Sequence, residues 1–442
     1  MNLFTFRGGV HPPESKELTE EKPIRFMPLP REVKIYLANH GGAPAKQVVK
    51  EGDTVKTGQK IGEQAGMISA NVHASLTGTV AGVEKVFHPV LQKPSEVVVI
   101  RRETEKDEWE YISPHGDFNR FKPPEIVDII REAGIVGLGG AMFPTHVKLT
   151  PPEGKKIDLL IVNGAECEPY LTIDHRLMLE RTEDIVKGIR ILMYVLDVEK
   201  AYVGIENNKL DAYEAMMRAT AGEPIEVKLL RTKYPQGAEK QLIYALTKRV
   251  VPSGGLPLHV GVVVQNVGTV LAVYEAVEKG KPLVERGLTV TGEAVSNPSN
   301  LVVRVGTMVS EVLEFVGGLK GKVDRVILGG PMMGIAIPDL NIPIMKGTSG
   351  IVALPPERLG KIETKPCIRC SRCVVACPMN LQPYLLEQLA RARRYDEAVE
   401  EGLMDCIECG SCSYICPSKI DHVKSIKLAK KVYRALRGGA KK

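Results

Sequence analysis

Cys367-Ile368-Arg369-Cys370-Ser371-Arg372-Cys373-Val374-Val375-Ala376-Cys377-Pro378 returns as Cys406-Ile407-Glu408-Cys409-Gly410-Ser411-Cys412-Ser413-Tyr414-Ile415-Cys416-Pro417. Each copy reads C-x-x-C-x-x-C-x-x-x-C-P, the bacterial ferredoxin run, in which three closely spaced thiolates take three corners of a cubane and the fourth ligand comes from the other copy. The crossing rule assigns Cys367, Cys370, Cys373 and Cys416 to one [4Fe-4S] cluster and Cys406, Cys409, Cys412 and Cys377 to a second. Each proline stops its ligand loop from continuing as a helix. Zinc also accepts paired C-x-x-C elements, but a tetrahedral S4 site does not call for the third and fourth cysteines at these offsets. Between the copies, Leu381 to Glu401 has a helical pattern with Leu385, Leu389 and Ala390 on one face. The run therefore predicts a helical two-cluster, ferredoxin-like C-terminal domain.

The rest of the composition agrees with an intracellular redox protein. Only Cys167 lies outside the Cys367–Cys416 interval, and such clustering in a reducing compartment points to metal rather than disulfides. At 442 residues and 44% hydrophobic content, three or four buried cores are expected. The net charge of +6 is dispersed and aromatics are 5%, which argues against a nucleic-acid binder. No stretch reaches the roughly 18 apolar residues that span a bilayer, and Met1 to Arg7 lacks a signal-peptide core. A chain kept in the cytoplasm, without a transmembrane segment, is expected.

Upstream, the periodicity changes three times. Val49 to Gly62 and Ser75 to Val80 set turn residues between short β-branched runs, predicting a barrel-sandwich β domain within residues 1–120. It resembles the biotinyl and lipoyl pattern, except that His73-Ala74-Ser75 stands where a modified lysine is expected. From Pro123, strand candidates at Asp158 to Asn163, Ala201 to Ile205, Ile225 to Leu230 and Val260 to Gln265 alternate with helical stretches. That alternation predicts a Rossmann-like parallel α/β domain over 121–280. Gly287 to Val295, Asn300 to Val305 and the helix Val309 to Val316 predict a β-grasp module over 281–352. The two-cluster domain occupies 353–442 after the linker Leu354-Pro355-Pro356. The multidomain chain thus combines α/β and α+β parts.

Gly137-Leu138-Gly139-Gly140-Ala141-Met142-Phe143-Pro144-Thr145, followed by Lys148, is a loop whose glycines let backbone N–H groups approach a phosphate. Asn163-Gly164-Ala165-Glu166-Cys167-Glu168-Pro169 closes a predicted parallel strand, where α/β sheets gather ligand-binding residues. Cys167 has no paired base nearby and reads as a small packed residue. The first run resembles the flavin loop of the NADH-binding flavoprotein subunit of respiratory complex I, and the second resembles that family's acidic loop. Tyr234-Pro235-Gln236-Gly237-Ala238-Glu239 and Gln265-Asn266-Val267-Gly268-Thr269 resemble its next two motifs, in order. The β-grasp module resembles the soluble-ligand-binding (SLBB) domain. Phe6-Arg7-Gly8-Gly9-Val10-His11-Pro12-Pro13-Glu14, the barrel and the double cluster motif resemble the RnfC family of the Rnf electron transport complex, over nearly the whole chain.

That resemblance implies FMN held at its phosphate by Gly137, Gly139, Gly140 and Lys148, with Asn163, Asn266 and Thr269 around the ring and ribityl chain. It implies that Phe143, Glu168 and Glu239 face NAD(H), and Glu166 joins the cofactor-binding candidates. It also implies peripheral association with the membrane subunits of an ion-translocating ferredoxin:NAD+ oxidoreductase on the cytoplasmic face, with ferredoxin reached through the complex. Four positions depart from the complex I pattern: Leu138 for arginine, Met142 for glycine, Ala165 for aspartate and Ala238 for glutamate. They motivate a rival reading, a relay and docking subunit without flavin. A third reading is the flavoprotein subunit of a soluble NAD-linked hydrogenase or formate dehydrogenase. From His422, lysines and arginines as far as Lys441 and Lys442 interleave with Ile426, Leu428, Val432 and Leu436. This predicts a basic amphipathic helix packed on the cluster domain with a solvated charged face, anionic lipid or a partner being the alternative contact.

Overall fold

The computed structural model describes residues 3–359 and 363–439, so Met1, Asn2, Lys441 and Lys442 of the terminal readings lie outside the described residues. Two small antiparallel sheets form the barrel-sandwich. Glu32–Tyr36, Lys93–Arg101, Gly78–His88 and Thr54–Val55 pair in that order, and Lys46–Gln47, Lys60–Glu63 and Val72–His73 make the second. Val33, Ile35, Val55, Ile61, Val72, Val98 and Ile100 fill the space between them.

The α/β domain has a four-stranded parallel sheet in the order Ile225–Leu230, Ala201–Glu206, Leu159–Gly164, Val262–Asn266. Near-continuous β-branched and leucine runs make the inner strands, as burial on both faces demands. Helices Thr182–Leu196 and Val267–Lys279 pack together over one face and contribute Ile185, Ile189, Leu192, Val270 and Val273 to the core. The strand that comes first in sequence pairs with the second on one side and the fourth on the other, so direction of winding reverses beside Leu159–Gly164. A crevice opens at such a switch point, beyond the carboxyl ends of the strands.

The β-grasp sheet is larger than the sequence pattern implied. Glu285–Thr291 and Ser299–Arg304 pair antiparallel, Gly350–Leu354, Arg325–Leu328 and Ile335–Ala336 extend one side, and Ile24–Phe26 adds a parallel strand on the other. Residues before the barrel are therefore shared out among later domains. Phe4 bridges to Leu230, Val10 bridges to Tyr234, and Lys22 donates to Pro298 O at 2.8 Å.

In the C-terminal domain, the single helix expected over Leu381 to Glu401 is two, Pro383–Arg391 and Tyr395–Glu400. Arg393, at φ +58°, adopts the left-handed conformation between them, and Arg394 N–H returns to Leu389 O at 2.9 Å. This fold-back brings Ala398 and Leu403 against Leu386 and Leu389, where Ile426 and Ala429 of the long C-terminal helix His422–Gly439 join them. That helix packs on the cluster domain, with Lys424, Lys427, Leu428, Lys431, Arg434 and Leu436 outward.

Candidate functional site

At the switch point the strand register sets Asn163 opposite Asn266. Asn266 caps the helix Val267–Lys279: its Oδ1 accepts from Gly268 N–H at 2.9 Å, while its Nδ2 donates to Asp174 at 2.6 Å. Asn163 Nδ2 donates to Gly237 O at 2.8 Å, which holds the Tyr234–Glu239 turn against the same strand end. The glycine loop folds over both asparagines. It closes through Gly137 N–H to Phe143 O (2.9 Å), and Leu138 N–H donates to Thr269 Oγ1 (2.9 Å). A Cβ on Gly139 would come within 3.5 Å of Asn266, and Gly140 sits exposed at φ +102°. Lys148 Nζ donates to Val264 O (3.1 Å) and pairs with Glu239 (2.8 Å) beside the helix N-terminus. Exposed glycine backbone meets a helix N-terminus here, chemistry that suits a phosphate, while Lys148 is engaged by Glu239 and Val264 O.

The acidic loop next to it is held from within. Glu166 caps the helix Ile173–Glu180, accepting from Asp174 N–H (2.7 Å) and His175 N–H (3.3 Å). Glu168 accepts from Met332 N–H (3.0 Å) and Met333 N–H (2.8 Å) of the β-grasp module. Both carboxylates thus already have backbone partners. Burial pushes Glu168 up to about 7 against the pull of those two N–H groups, and burial together with neighbouring Glu166 pushes Asp174 up to about 7. Lys16, from the N-terminal segment, directs its ammonium to the carbonyls of Glu166, Glu168 and Leu171. Burial pushes the Cys167 thiol up, consistent with a packed residue rather than a nucleophile.

The eight remaining cysteines fall into two groups of four. Cys367, Cys370, Cys373 and Cys416 line one cavity, with Tyr384 and His422 at its wall. Cys377, Cys406, Cys409 and Cys412 line another, walled by Leu381, Leu386 and Ile426. The two ligand loops share one backbone: Arg369 and Glu408, Ser371 and Gly410, and Asn380 and Lys419 all have positive φ at matching places. Each first cysteine sulfur accepts the N–H two residues on, Arg369 to Cys367 and Glu408 to Cys406, both at 3.4 Å. Among the described residues no three His, Cys, Asp or Glu side chains gather around a point fit for one metal ion. Four thiols lining each cavity, with N–H···S donors to the first of each run, suit a four-iron cubane.

The two cavities differ in position. Cys367 and Cys370 are exposed. The other set lies against the flavin-type domain, where Tyr234 Oη donates to Cys409 O at 2.7 Å and Gln241 Nε2 donates to Pro378 O at 3.2 Å. Between the domains runs the N-terminal strap, with Gly9 N–H on Ala376 O (2.9 Å) and Val10 N–H on Tyr234 O (2.8 Å).

Four family models match in the same order as these parts: an RnfC barrel sandwich hybrid domain over 4–105, a Nuo51 FMN-binding domain over 130–275, an SLBB domain over 288–336 and a 4Fe-4S dicluster domain over 359–417. The C subunit of the proton-translocating ferredoxin:NAD(+) oxidoreductase complex of Clostridium ljungdahlii is 50% identical over 90% of this chain and 87% of its own. The C subunit of the Na(+)-translocating complex of Acetobacterium woodii is 46% identical, covering 97% of this chain and 96% of its own. The chain belongs to the RnfC family. A solved NAD+-reducing [NiFe]-hydrogenase aligns at 19% identity with a TM-score of 0.48, over 71% of this chain and 61% of that one.

As a member of the RnfC family the chain carries an FMN-binding domain and a 4Fe-4S dicluster domain. Four residues around the glycine and acidic loops carry no motif in the sequence: Lys16, Asp174, Arg286 and Lys346. Arg286 did leave a signal. It shares strand parity with the buried Leu288 and Val290, so alternation alone turns it inward. Lys346 sits in a loop without periodicity and left none.

Proposed function

We propose that this chain is the NADH-, FMN- and iron–sulfur-dependent electron-transfer subunit of a membrane-associated, ion-translocating ferredoxin:NAD+ oxidoreductase. FMN supplies the exchange between two-electron and one-electron chemistry. In this reading Gly137, Gly139, Gly140 and Lys148 hold its phosphate, Asn163, Asn266 and Thr269 flank the rest, and Phe143, Glu166, Glu168 and Glu239 border the nucleotide side. Cys377, Cys406, Cys409 and Cys412 ligate the cluster facing the flavin domain. Cys367, Cys370, Cys373 and Cys416 ligate the cluster facing out, towards partner subunits. No helix among the described residues is long and apolar enough to cross a membrane. In the proposed assembly the chain is peripheral, held on the cytoplasmic face by other subunits, which also carry the ion and meet ferredoxin. The four domains are proposed to divide at 1–120, 121–280, 281–352 and 353–442.

One observation carries this reading: the backbone of the Cys377, Cys406, Cys409 and Cys412 set is hydrogen-bonded to the flavin domain through Tyr234, while Cys367 and Cys370 of the other set are exposed. The test is iron, sulfide and flavin quantitation on anaerobically purified full-length protein, with EPR and NADH-dependent reduction of an artificial acceptor. Two clusters and one FMN, with NADH reducing both clusters, are expected. Protein that holds its clusters but neither FMN nor acceptor activity leaves a docking and relay role instead. Tyr234→Phe should slow cluster reduction by NADH several-fold with cluster content unchanged, because it removes one bridging hydrogen bond and little packing.

A further inference from the structure

The β-grasp module grips the flavin loop at two points, both through buried side chains. Arg286 is 2% exposed, and its Nη2 donates to Leu138 O at 2.8 Å while its Nε donates to Thr348 O at 2.7 Å. Its remaining nitrogen, Nη1, stands 3.7 Å from where a Cβ on Gly268 would lie, beside the N-terminus of the helix Val267–Lys279. Lys346 is 1% exposed and donates to Gly134 O at 2.8 Å, at the entry to the loop, and to Asn71 O at 2.9 Å in the barrel-sandwich. A Cβ on Gly347 would fall 2.3 Å from Met142, so module and loop are in direct contact.

Arg286 is chemically unusual. A buried guanidinium is costly unless a charge answers it. Here both hydrogen bonds end on neutral carbonyls. The acid that acts on it is Asp174, whose carboxylate is engaged by Asn266 and pushed up to about 7 by burial. Burial brings Arg286 down to about 10, which leaves it cationic at neutral pH. A buried cation therefore sits behind the glycine loop, with the loop's own backbone hung on it and Asp174 as the acid that acts on it.

We propose that Arg286 is a positioning residue of the flavin site: it fixes the glycine loop through Leu138 and supplies the buried positive charge that an anionic flavin mononucleotide answers. This rests on the reading of the loop as the FMN site. Lys346 fixes the base of the same loop. Binding the cofactor and seating the β-grasp module are then one event. Because reduction adds negative charge to the flavin, Arg286 favours the reduced cofactor over the oxidised one.

The test compares full-length, anaerobically prepared wild type, Arg286→Gln and Arg286→Lys, using added FMN as the probe. Kd is measured for oxidised and for dithionite-reduced FMN, and the flavin midpoint potential by spectroelectrochemistry, with iron content as the control for folding. Arg286→Gln should weaken oxidised FMN about tenfold, near 1.4 kcal/mol. It should weaken reduced FMN about tenfold more, which lowers the two-electron potential by about 30 mV. Arg286→Lys keeps the charge and loses the fork, so affinity should fall while the potential stays near wild type. Arg286→Gln that folds and binds FMN with wild-type affinity and potential overturns the proposal. If Arg286→Gln loses its iron, Arg286→Lys decides: unchanged affinity, or a potential as low as an uncharged site gives, overturns it. Wild type that binds no FMN overturns the site reading itself, a separate result.

Discussion

At the scale of single residues, the consequential groups are those whose protonation folding has altered. Lys346 is the clearest. Burial lowers its ammonium to about 7 from the ordinary 10.5. The unfolded chain therefore holds a proton there that the folded chain releases between pH 7 and pH 10.5, so this residue's contribution to stability rises with pH across that window. Relative to Lys346→Met, the wild type should gain thermal stability as pH is raised from about 7 towards about 10, measured by unfolding scans on the two proteins; a flat difference rejects the shift. Nothing in Met345-Lys346-Gly347 announces this, since the carbonyls it serves belong to Asn71 and Gly134, far off in sequence. The cysteines are the opposite case. Their spacing is written into one local loop geometry repeated twice, and the same eight thiols line the two cavities.

At the scale of elements, hydrophobic periodicity located the parallel strands and their helices closely, because each is long enough to show its burial pattern. It missed elements defined by their partners. Ile24–Phe26 is three residues long with two of them exposed, and it is a strand only because Ser299–Arg304 offers an edge. The break at Arg393 was likewise hidden, a left-handed arginine being a tertiary choice between two packed helices. The strap at Gly8 is the element most open to a test. Gly8 has φ +87°, and a Cβ there would stand 2.8 Å from Cys377 O. Gly8→Ala meets both the left-handed penalty, about 1–2 kcal/mol, and that clash. It should raise the rate at which a protease releases the N-terminal segment by roughly 5–30-fold, with unchanged cleavage refuting a seated strap.

At the scale of the molecule, the two thiol sets meet different surroundings. The set with exposed Cys367 and Cys370 should lose its cluster first in air, because oxidants and chelators reach it directly. Iron should fall to about half in an early phase, with the EPR signal of the set around Cys409 persisting; simultaneous loss of both signals would falsify the inside and outside assignment. The domain plan was legible because each part announces its own period, glycine loop or cysteine run. The contacts that join the parts were not, being made by carbonyls, a tyrosine and a glycine strap that any surface could carry. The strap has a consequence for biosynthesis. Residues 8–10 are translated long before Ala376, whose carbonyl accepts from Gly9 N–H. Gly9 can seat only after Ala376 has been made, so the joint between the strap and the first cysteine run forms later than the parallel sheet of the α/β domain can be completed.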